Sequence, residues 1–416
     1  VFRGWLALAG VELTNTSRLV AHARPGIPQS MEEAVGQCVC RADYVSYDDS
    51  WPGLQAFLGD DPYVITDAPW YDPAIPQSAE LLGFWVTQID GWGPTPVSRQ
   101  VDDAIGPGGV AGPHRDQYRT LNIEFSIVAC TNAGAVYGLE WLACRLRPAK
   151  AWGGTTLEFL AAHPENSAAV PASLRRVMNR VTVTQGPEVT QSRGTRGEQN
   201  RQGNLFAGNF SLAVLDPYTY GPVTSATVVW DSTVTEQITW AHAPDCLDPH
   251  SCDEIPILAS VECVPATVDV RPVQPPVCAG CTPLCAVVTS VYEIPAASGV
   301  LCVDQAVTVI VTAGDEPVSV NFWFRPCGET ALCDRTGFLS IAGLPAGATV
   351  VADSVQGRPY SIVDGTQIQQ RGIVSTPSGA PWTAVVLDVG QCWELVAQHE
   401  PGLDFDVQVQ VRGRSA

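Results

Sequence analysis

Lysine is all but missing from this chain: Lys150 is the sole one among 23 basic residues, against 43 acidic residues, and the formal charge is −20 over 416 residues. A nucleic-acid reader needs a basic face to displace counterions from phosphate, so this balance argues against direct nucleic-acid recognition. It argues equally against attraction to an anionic membrane surface. No apolar run approaches the ~20 residues of a membrane-spanning helix. The stretch from Trp5 to Val11 is short and lacks the basic lead of a signal peptide. Six histidines stand singly at 22, 114, 163, 242, 250 and 399, none paired at metal-ligand spacing. Gly-x-Ser-x-Gly, His-Glu-x-x-His, Walker and calcium-loop patterns are all missing. No catalytic, cofactor-binding or metal-binding residue is therefore assigned, and the expectation is a protein that is not an enzyme.

What the chain has in quantity is punctuation. With 37 glycines and 33 prolines between short apolar runs, the expected class is mainly β, built from sandwiches or barrels. Leu121, Ile123, Phe125 and Ile127 alternate with Asn122, Glu124 and Ser126, and Phe405, Val407, Val409 and Val411 with Asp406, Gln408, Gln410 and Arg412. That period of two is a half-buried strand. One helix is expected after a Thr131 cap, with Val136, Leu139, Leu142 and Leu146 on its apolar face, packed on the Leu121 strand. From Gln185 to Asn204 the only aliphatic residue is Val189, among Arg193, Arg196, Arg201 and many Gly and Gln residues, which predicts an exposed arm over 185–204. Pro244 to Cys285 holds eight prolines and six cysteines in 42 residues and predicts a semi-rigid connector over 244–286. Beyond it, 287–292, 306–311, 319–324, 349–353, 384–389 and 405–411 read as strands of a C-terminal β-sandwich over 287–416.

Several motifs have a chemical and a plainer reading. Cys278-x2-Cys281-x3-Cys285 has thiol spacing for a shared zinc, with Cys246, Cys252, Cys263 or His250 as the fourth ligand; disulfide staples are the favoured alternative in a segment without a core, and free thiols the third. Cys246 with Cys252, and Cys327 with Cys333, bracket loops they could close. Cys38 and Cys40 are too close to bridge each other, and Cys130 and Cys144 are expected as buried hydrophobes. Asp60-Asp61-Pro-Tyr63 and Asp67-Ala-Pro-Trp70-Tyr-Asp72 combine carboxylates with aromatics as a glycosidase would, but Asp-Pro steps are first of all turn chemistry. Gly106-Pro-Gly-Gly-Val-Ala-Gly112 runs into Pro113 instead of a helix, so it is not a phosphate loop. His114-Arg115-Asp116 is read as an ion pair or turn, because triads are assembled in space.

The order of N-terminal features resembles the minor tail proteins of long-tailed (siphovirus) phages infecting actinobacteria, whose N-terminal part is similar to distal tail proteins. The residues that carry this are Val1-Phe-Arg-Gly-Trp-Leu-Ala-Leu-Ala-Gly-Val-Glu-Leu13, Asn15, Arg18, Asp67-Ala-Pro-Trp-Tyr-Asp-Pro73, Gly83-Phe-Trp-Val86, Pro94-Thr-Pro-Val97, Gly108-Gly-Val-Ala-Gly-Pro-His-Arg-Asp116, Cys130-Thr-Asn-Ala-Gly134 and Gly138-Leu-Glu-Trp-Leu142. They span 1–245, with a looser echo in Ala380-Pro-Trp382 and Leu387-Asp-Val-Gly390, and arginine in place of lysine fits a GC-rich host. The resemblance implies a distal-tail-like β domain over 1–243 with one helix, forming a hexameric ring between tail tube and hub in the virion tail tip, assembled in the host bacterial cytoplasm. Its implied partners are the tail tube protein, the tape measure and other tail-tip or hub proteins. A negative lumen would keep exiting DNA from sticking, though the acidity equally suits a solubilising exterior. The C-terminal sandwich either binds host cell-wall glycan through Trp323, Tyr360, Trp382 and Trp393 or braces neighbouring tail proteins around an aromatic core. The competing reading is a secreted actinobacterial carbohydrate-binding or carbohydrate-active multi-sandwich protein.

Overall fold

In a computed structural model the chain divides into two compact units, Val1–Pro222 and Val223–Ser415. The structure describes residues 2–23, 65–164, 171–193, 203–237, 258–259, 268–269, 286–296, 304–328, 334–363, 365–368, 372–377 and 379–415. The fold is mainly β, as expected.

The first unit contains β1 (Phe2–Leu8), β2 (Val11–Asn15), β3 (Leu81–Asp90), β4 (Val97–Asp103), β5 (Gly109–Asp116), β6 (Arg119–Ala129), β7 (Thr155–Leu160), β8 (Arg175–Arg193) and β9 (Leu205–Val214). One antiparallel sheet runs β2-β1-β7-β8-β9-β6-β3. Its first hairpin turns through Ala9 and Gly10, at φ 54° and 76°, the left-handed pair that matches strand twist in a two-residue loop. The sheet curls so that β1 and β2 reach the outer edge of β3. There the carbonyls of Phe84 and Thr87 accept hydrogen bonds from Thr14 Oγ1 at 2.9 Å and Arg3 Nη1 at 2.7 Å, and that of Leu81 from Trp70 Nε1 at 3.0 Å. Side chains thus occupy acceptors that an edge strand would otherwise offer to another chain. Leu6, Leu13, Phe84, Phe125 and Phe210 fill the space enclosed.

The alternation in β6 is as expected: Leu121, Ile123, Phe125 and Ile127 are buried while Asn122 and Glu124 are exposed. The helix begins where its cap predicts, over Asn132–Arg145, with Thr131 Oγ1 accepting from the Gly134 N–H at 3.0 Å. Its buried face is rotated from the expected one. Gly134, Ala135, Gly138, Trp141 and Leu142 face inward, while Val136 is 42% exposed. The cause is close approach: a Cβ on Gly134 would lie 2.8 Å from the Glu80 carbonyl carbon, and one on Gly138 2.7 Å from Ile127 Cγ2. Glycine makes this the packing face, and hydrophobic periodicity does not register glycine.

Two further expectations are corrected here. Gln185–Arg193, expected as part of an exposed arm or hairpin, is the outer half of the long strand β8, laddered antiparallel to β9 from Gln185↔Ser211 to Arg193↔Leu205 as a hairpin would be, but with Val189 packed on the core. Residues 194–202 of that arm lie outside the described residues. The boundary expected at 243 falls instead at Pro222, because 223–237 supplies strands to the second unit. Thr224–Thr227 pairs with the last strand, Phe405–Ser415, and Ser232–Gln237 pairs with Ala286–Glu293. Such long-range pairing leaves no local mark. The connector expected over 244–286 lies outside the described residues, except for a two-residue ladder of Leu258–Ala259 with Val268–Asp269 and the strand residue Ala286.

The second unit is the expected β-sandwich. One sheet holds Thr224–Thr227, Phe405–Ser415, Asp304–Ala313, Thr349–Asp353, Arg358–Val363 and Thr366–Ile368 in that order. The other holds Ser232–Gln237, Ala286–Glu293, Trp393–His399, Val318–Pro326, Thr336–Leu344 and Val374–Ser375. Val307, Val309, Val311 and Val409 from the first sheet meet Phe322, Phe324, Leu339 and Leu395 from the second. Cys327 is bridged to Cys392, not to Cys333. The two belong to the ends of paired strands, with Pro326 opposite Trp393 and the Cys327 N–H on the Cys392 carbonyl at 3.0 Å, so their Cα atoms are already 5.4 Å apart.

Candidate functional site

The motifs weighed for chemistry fall into structural roles or outside the described residues. Asp67 closes a short 3-10 turn, and Asp72 organises the next bend, accepting from the Ala74 N–H at 2.9 Å. Between them Trp70 is buried, the Trp141 indole donates to the Pro69 carbonyl at 3.2 Å, and the Tyr137 hydroxyl donates to the Trp70 carbonyl at 2.6 Å. This loop is clamped onto the helix as packing. Asp60 and Asp61, Cys38 and Cys40, and the candidate zinc ligands Cys246, His250, Cys252, Cys263, Cys278, Cys281 and Cys285 lie outside the described residues. Contrary to expectation, Cys144 is exposed and Cys130 only half-buried. Of the four aromatics considered as a sugar platform, Trp323 and Trp382 are buried, Trp323 beneath the Arg335 guanidinium at 4.6 Å from the ring centroid. The Trp393 indole donates to the Asp388 carbonyl at 2.8 Å. Burial first, then the Asp353 carboxylate, holds the Tyr360 hydroxyl above its ordinary pKa.

The feature that packing does not explain is the ribbon β4–β5. Gly106 to Gly112 belongs to its tip and second strand, and His114-Arg115-Asp116 to its base. Val97 pairs with Asp116, Val101 with Ala111 and Asp103 with Gly109, with a bulge between Arg99 and Val101. Every residue of β4 is exposed; Val97, Val101 and Val110 are 60–67% exposed, and Ile105 at the tip is fully so. A two-stranded ribbon without a core is at best marginally stable in water, and four large aliphatics are left exposed along it.

Its base, by contrast, is built firmly. The Gln117 N–H donates to the Pro96 carbonyl at 2.8 Å. Arg119 is buried to 3% exposure and donates to the Pro217 carbonyl at 2.9 Å and to Thr95 Oγ1 at 3.2 Å. Burial lowers the pKa of this guanidinium from its ordinary value. Thr95 Oγ1 also reaches the Pro217 carbonyl at 3.1 Å, and Asp116 takes the Tyr218 hydroxyl and His114 Nε2, the latter at 2.9 Å. Residues 95–96 and 116–119 are thereby fixed to the 216–218 turn while the ribbon itself projects. Sequence reasoning quoted most of these residues but missed the ribbon, since a strand pair with neither face buried carries no alternation.

No protein-family profile and no curated protein matches the chain. Among solved structures, the SPP1 Dit protein, described as a paradigm of the hub adsorption apparatus in phages infecting Gram-positive bacteria, is similar at 11% identity and a TM-score of 0.34, over 76% of this chain and 93% of that one. A chain of the phage p2 baseplate in its strontium-activated conformation is similar at 8% identity and a TM-score of 0.41, over 79% and 90%. The calcium-activated form of that baseplate gives 8% and 0.39 over the same shares. At these values none of the likenesses assigns a role to this chain.

Proposed function

We propose that this chain is a non-enzymatic structural component of a phage tail tip, a ring-forming adaptor between tail tube and hub. The observation that carries the reading is the β4–β5 ribbon, ordered and rigidly based yet presenting Val97, Val101, Ile105 and Val110 to solvent. A subunit that must seat on its neighbour has a use for such an element, since exposed apolar patches mark contact surfaces. The order of framework motifs across 1–245 supports the same role, and the resemblance they carry implies six-fold symmetry. Head-to-tail contacts between identical copies close into a ring when the rotation allows it. Placement at the virion tail tip, assembly in the host cytoplasm and contact with tail tube, tape measure and hub proteins belong to this proposal. So does attachment to the host surface by the C-terminal sandwich.

The test is the assembly state of the full chain and of a Val101→Asp/Val110→Asp variant. The wild type should sediment as a closed oligomer and the variant as a folded monomer with unchanged circular dichroism. A monomeric wild type would favour the secreted-module reading, and an oligomer indifferent to the two aspartates would count against the ribbon as the seat of assembly.

A further inference from the structure

The short segment between the helix and β7 combines cations with a bare aromatic ring. Between Glu140 and Glu158 there is no acidic residue, and Arg145, Arg147 and Lys150 fall close together in a chain whose net charge is −20. Arg145 is half-buried over the Trp141 ring, 5.9 Å from its centroid, while Arg147 and Lys150 are exposed. Trp152 beside them is fully exposed. Successive turns hold these residues in place. The Lys150 N–H donates to the Arg147 carbonyl at 2.9 Å, the Ala151 N–H to the Pro148 carbonyl at 3.2 Å and the Gly154 N–H to the Ala151 carbonyl at 2.9 Å. The Ala149 carbonyl accepts from Thr182 Oγ1 at 2.9 Å, which ties the segment to β8. An indole wholly in solvent on a fixed turn has no packing role within the unit, and tryptophan is among the residues that most often anchor a contact.

The outer half of the β4–β5 ribbon has the opposite charge. From Gln100 to Gly112 the charged residues are Asp102 and Asp103 alone, set among the exposed Val101, Ile105 and Val110. Asp102 stands opposite Val110, and Asp103 opposite Gly109. Gln100 Nε2 donates to Asp102 Oδ1 at 2.8 Å, and among the described residues no cation pairs with either carboxylate. The register puts ribbon and turn segment at one end of the sheet. Arg119, where the ribbon returns to β6, aligns through Val214 with Val181, and Thr182 is the next residue of β8. Two strand spacings, about 10 Å, separate β6 from β8. Ile105 and Trp152 are each fully exposed, so they do not meet within one copy.

We propose that the surface formed by Arg147, Lys150 and Trp152 receives the ribbon of a second copy of this chain, with Ile105 and Val110 against the indole and Asp102 and Asp103 toward the two cations. The inference rests on the ring reading above and adds the surface on which the ribbon lands. A head-to-tail contact needs two different, complementary patches on each subunit. Rotation about a ring axis keeps every copy at one height, so the two patches must share that height. Elements at the same end of the sheet do so about an axis along the strands. With 43 acidic residues against 23 basic, two copies repel on average, and a cationic patch is where one can approach the other. Complementary charge then fixes the register, and the buried indole supplies the anchor.

Lys150 is the sole lysine of the chain, which makes the contact readable by cross-linking. Assembly of the full chain is measured first by native mass spectrometry. A water-soluble carbodiimide then condenses amines with carboxylates in rings assembled from mixed isotope-labelled and unlabelled chains, and the linked peptides are identified by mass. The expected product joins Lys150 of one copy to Asp102 or Asp103 of another. It should vanish in Lys150→Arg, which keeps the charge and the ring. Trp152→Ala, monitored by circular dichroism for an intact fold, should raise the dissociation constant of the oligomer at least about tenfold. A ring in which Lys150 links to other carboxylates, only within its own copy, or to none overturns this inference and leaves the ring reading standing. So does a Trp152→Ala ring as tight as the wild type. Failure of the wild type to form a ring shows in the first measurement, and removes the ring reading and this inference together.

Discussion

The Cys327–Cys392 bridge offers a perturbation whose size follows from the structure. It closes a loop across a sequence separation of 65 residues, which contains the strands Thr336–Leu344, Thr349–Asp353 and Arg358–Val363. Chain-entropy accounting for such a loop gives about 14 cal/mol/K, or about 4 kcal/mol at 25 °C, removed from the unfolded ensemble. The native state should give back little of this in distortion, since Cys327 and Cys392 already share a backbone hydrogen bond at 3.0 Å next to the paired residues Pro326 and Trp393. Replacing both cysteines with serine should therefore destabilise the second unit by most of that amount. At about 2–4 °C per kcal/mol for a unit of this size, its melting point should fall by about 8–16 °C. Hydrogen exchange read on peptides from 318–326 and 393–399 confines the measurement to this unit. The serine substitutions change no other cysteine of the chain. A loss below about 1 kcal/mol would show that the unfolded chain already holds these ends together, and would refute the entropic argument.

Three other outcomes are expected. Burial, outweighing the hydrogen bond to the Glu400 carbonyl, lowers the pKa of His399, so the fold prefers the neutral ring. The unfolded chain then binds the extra proton, stability is complete above about pH 6.5 and is lost as pH falls toward the folded pKa, and His399→Gln should flatten urea midpoints over that interval. Gly134→Ala gains up to about 1 kcal/mol of helix propensity but drives a Cβ to 2.8 Å from the Glu80 carbonyl carbon, where overpacking costs about 1–3 kcal/mol, so thermal unfolding should show a net loss. Arg119→Leu leaves the buried Pro217 carbonyl with a weaker set of donors, and limited proteolysis should then cut within 97–116 well before the core.

The elements legible in the sequence are those whose partners impose a period. β6 and the strand Phe405–Ser415 each have one face on a core and one away from it, so alternation alone located them. Thr131 announced the helix because a cap is a local device, yet the packing face was misassigned because Gly134 and Gly138 make it by being small. Cys327 was matched to the nearest cysteine in sequence, when the strands Val318–Pro326 and Trp393–His399 bring Cys392 to it. The ribbon left no sign, because burial within the chain does not shape it.

The most direct measurement is averaged electron micrographs of the purified full chain, or of tail tips that contain it. The account predicts a closed six-fold ring with an axial hole wide enough for duplex DNA, the β4–β5 ribbon of each copy seated on its neighbour. Single copies at every concentration, or an assembly with no axial opening, would contradict it.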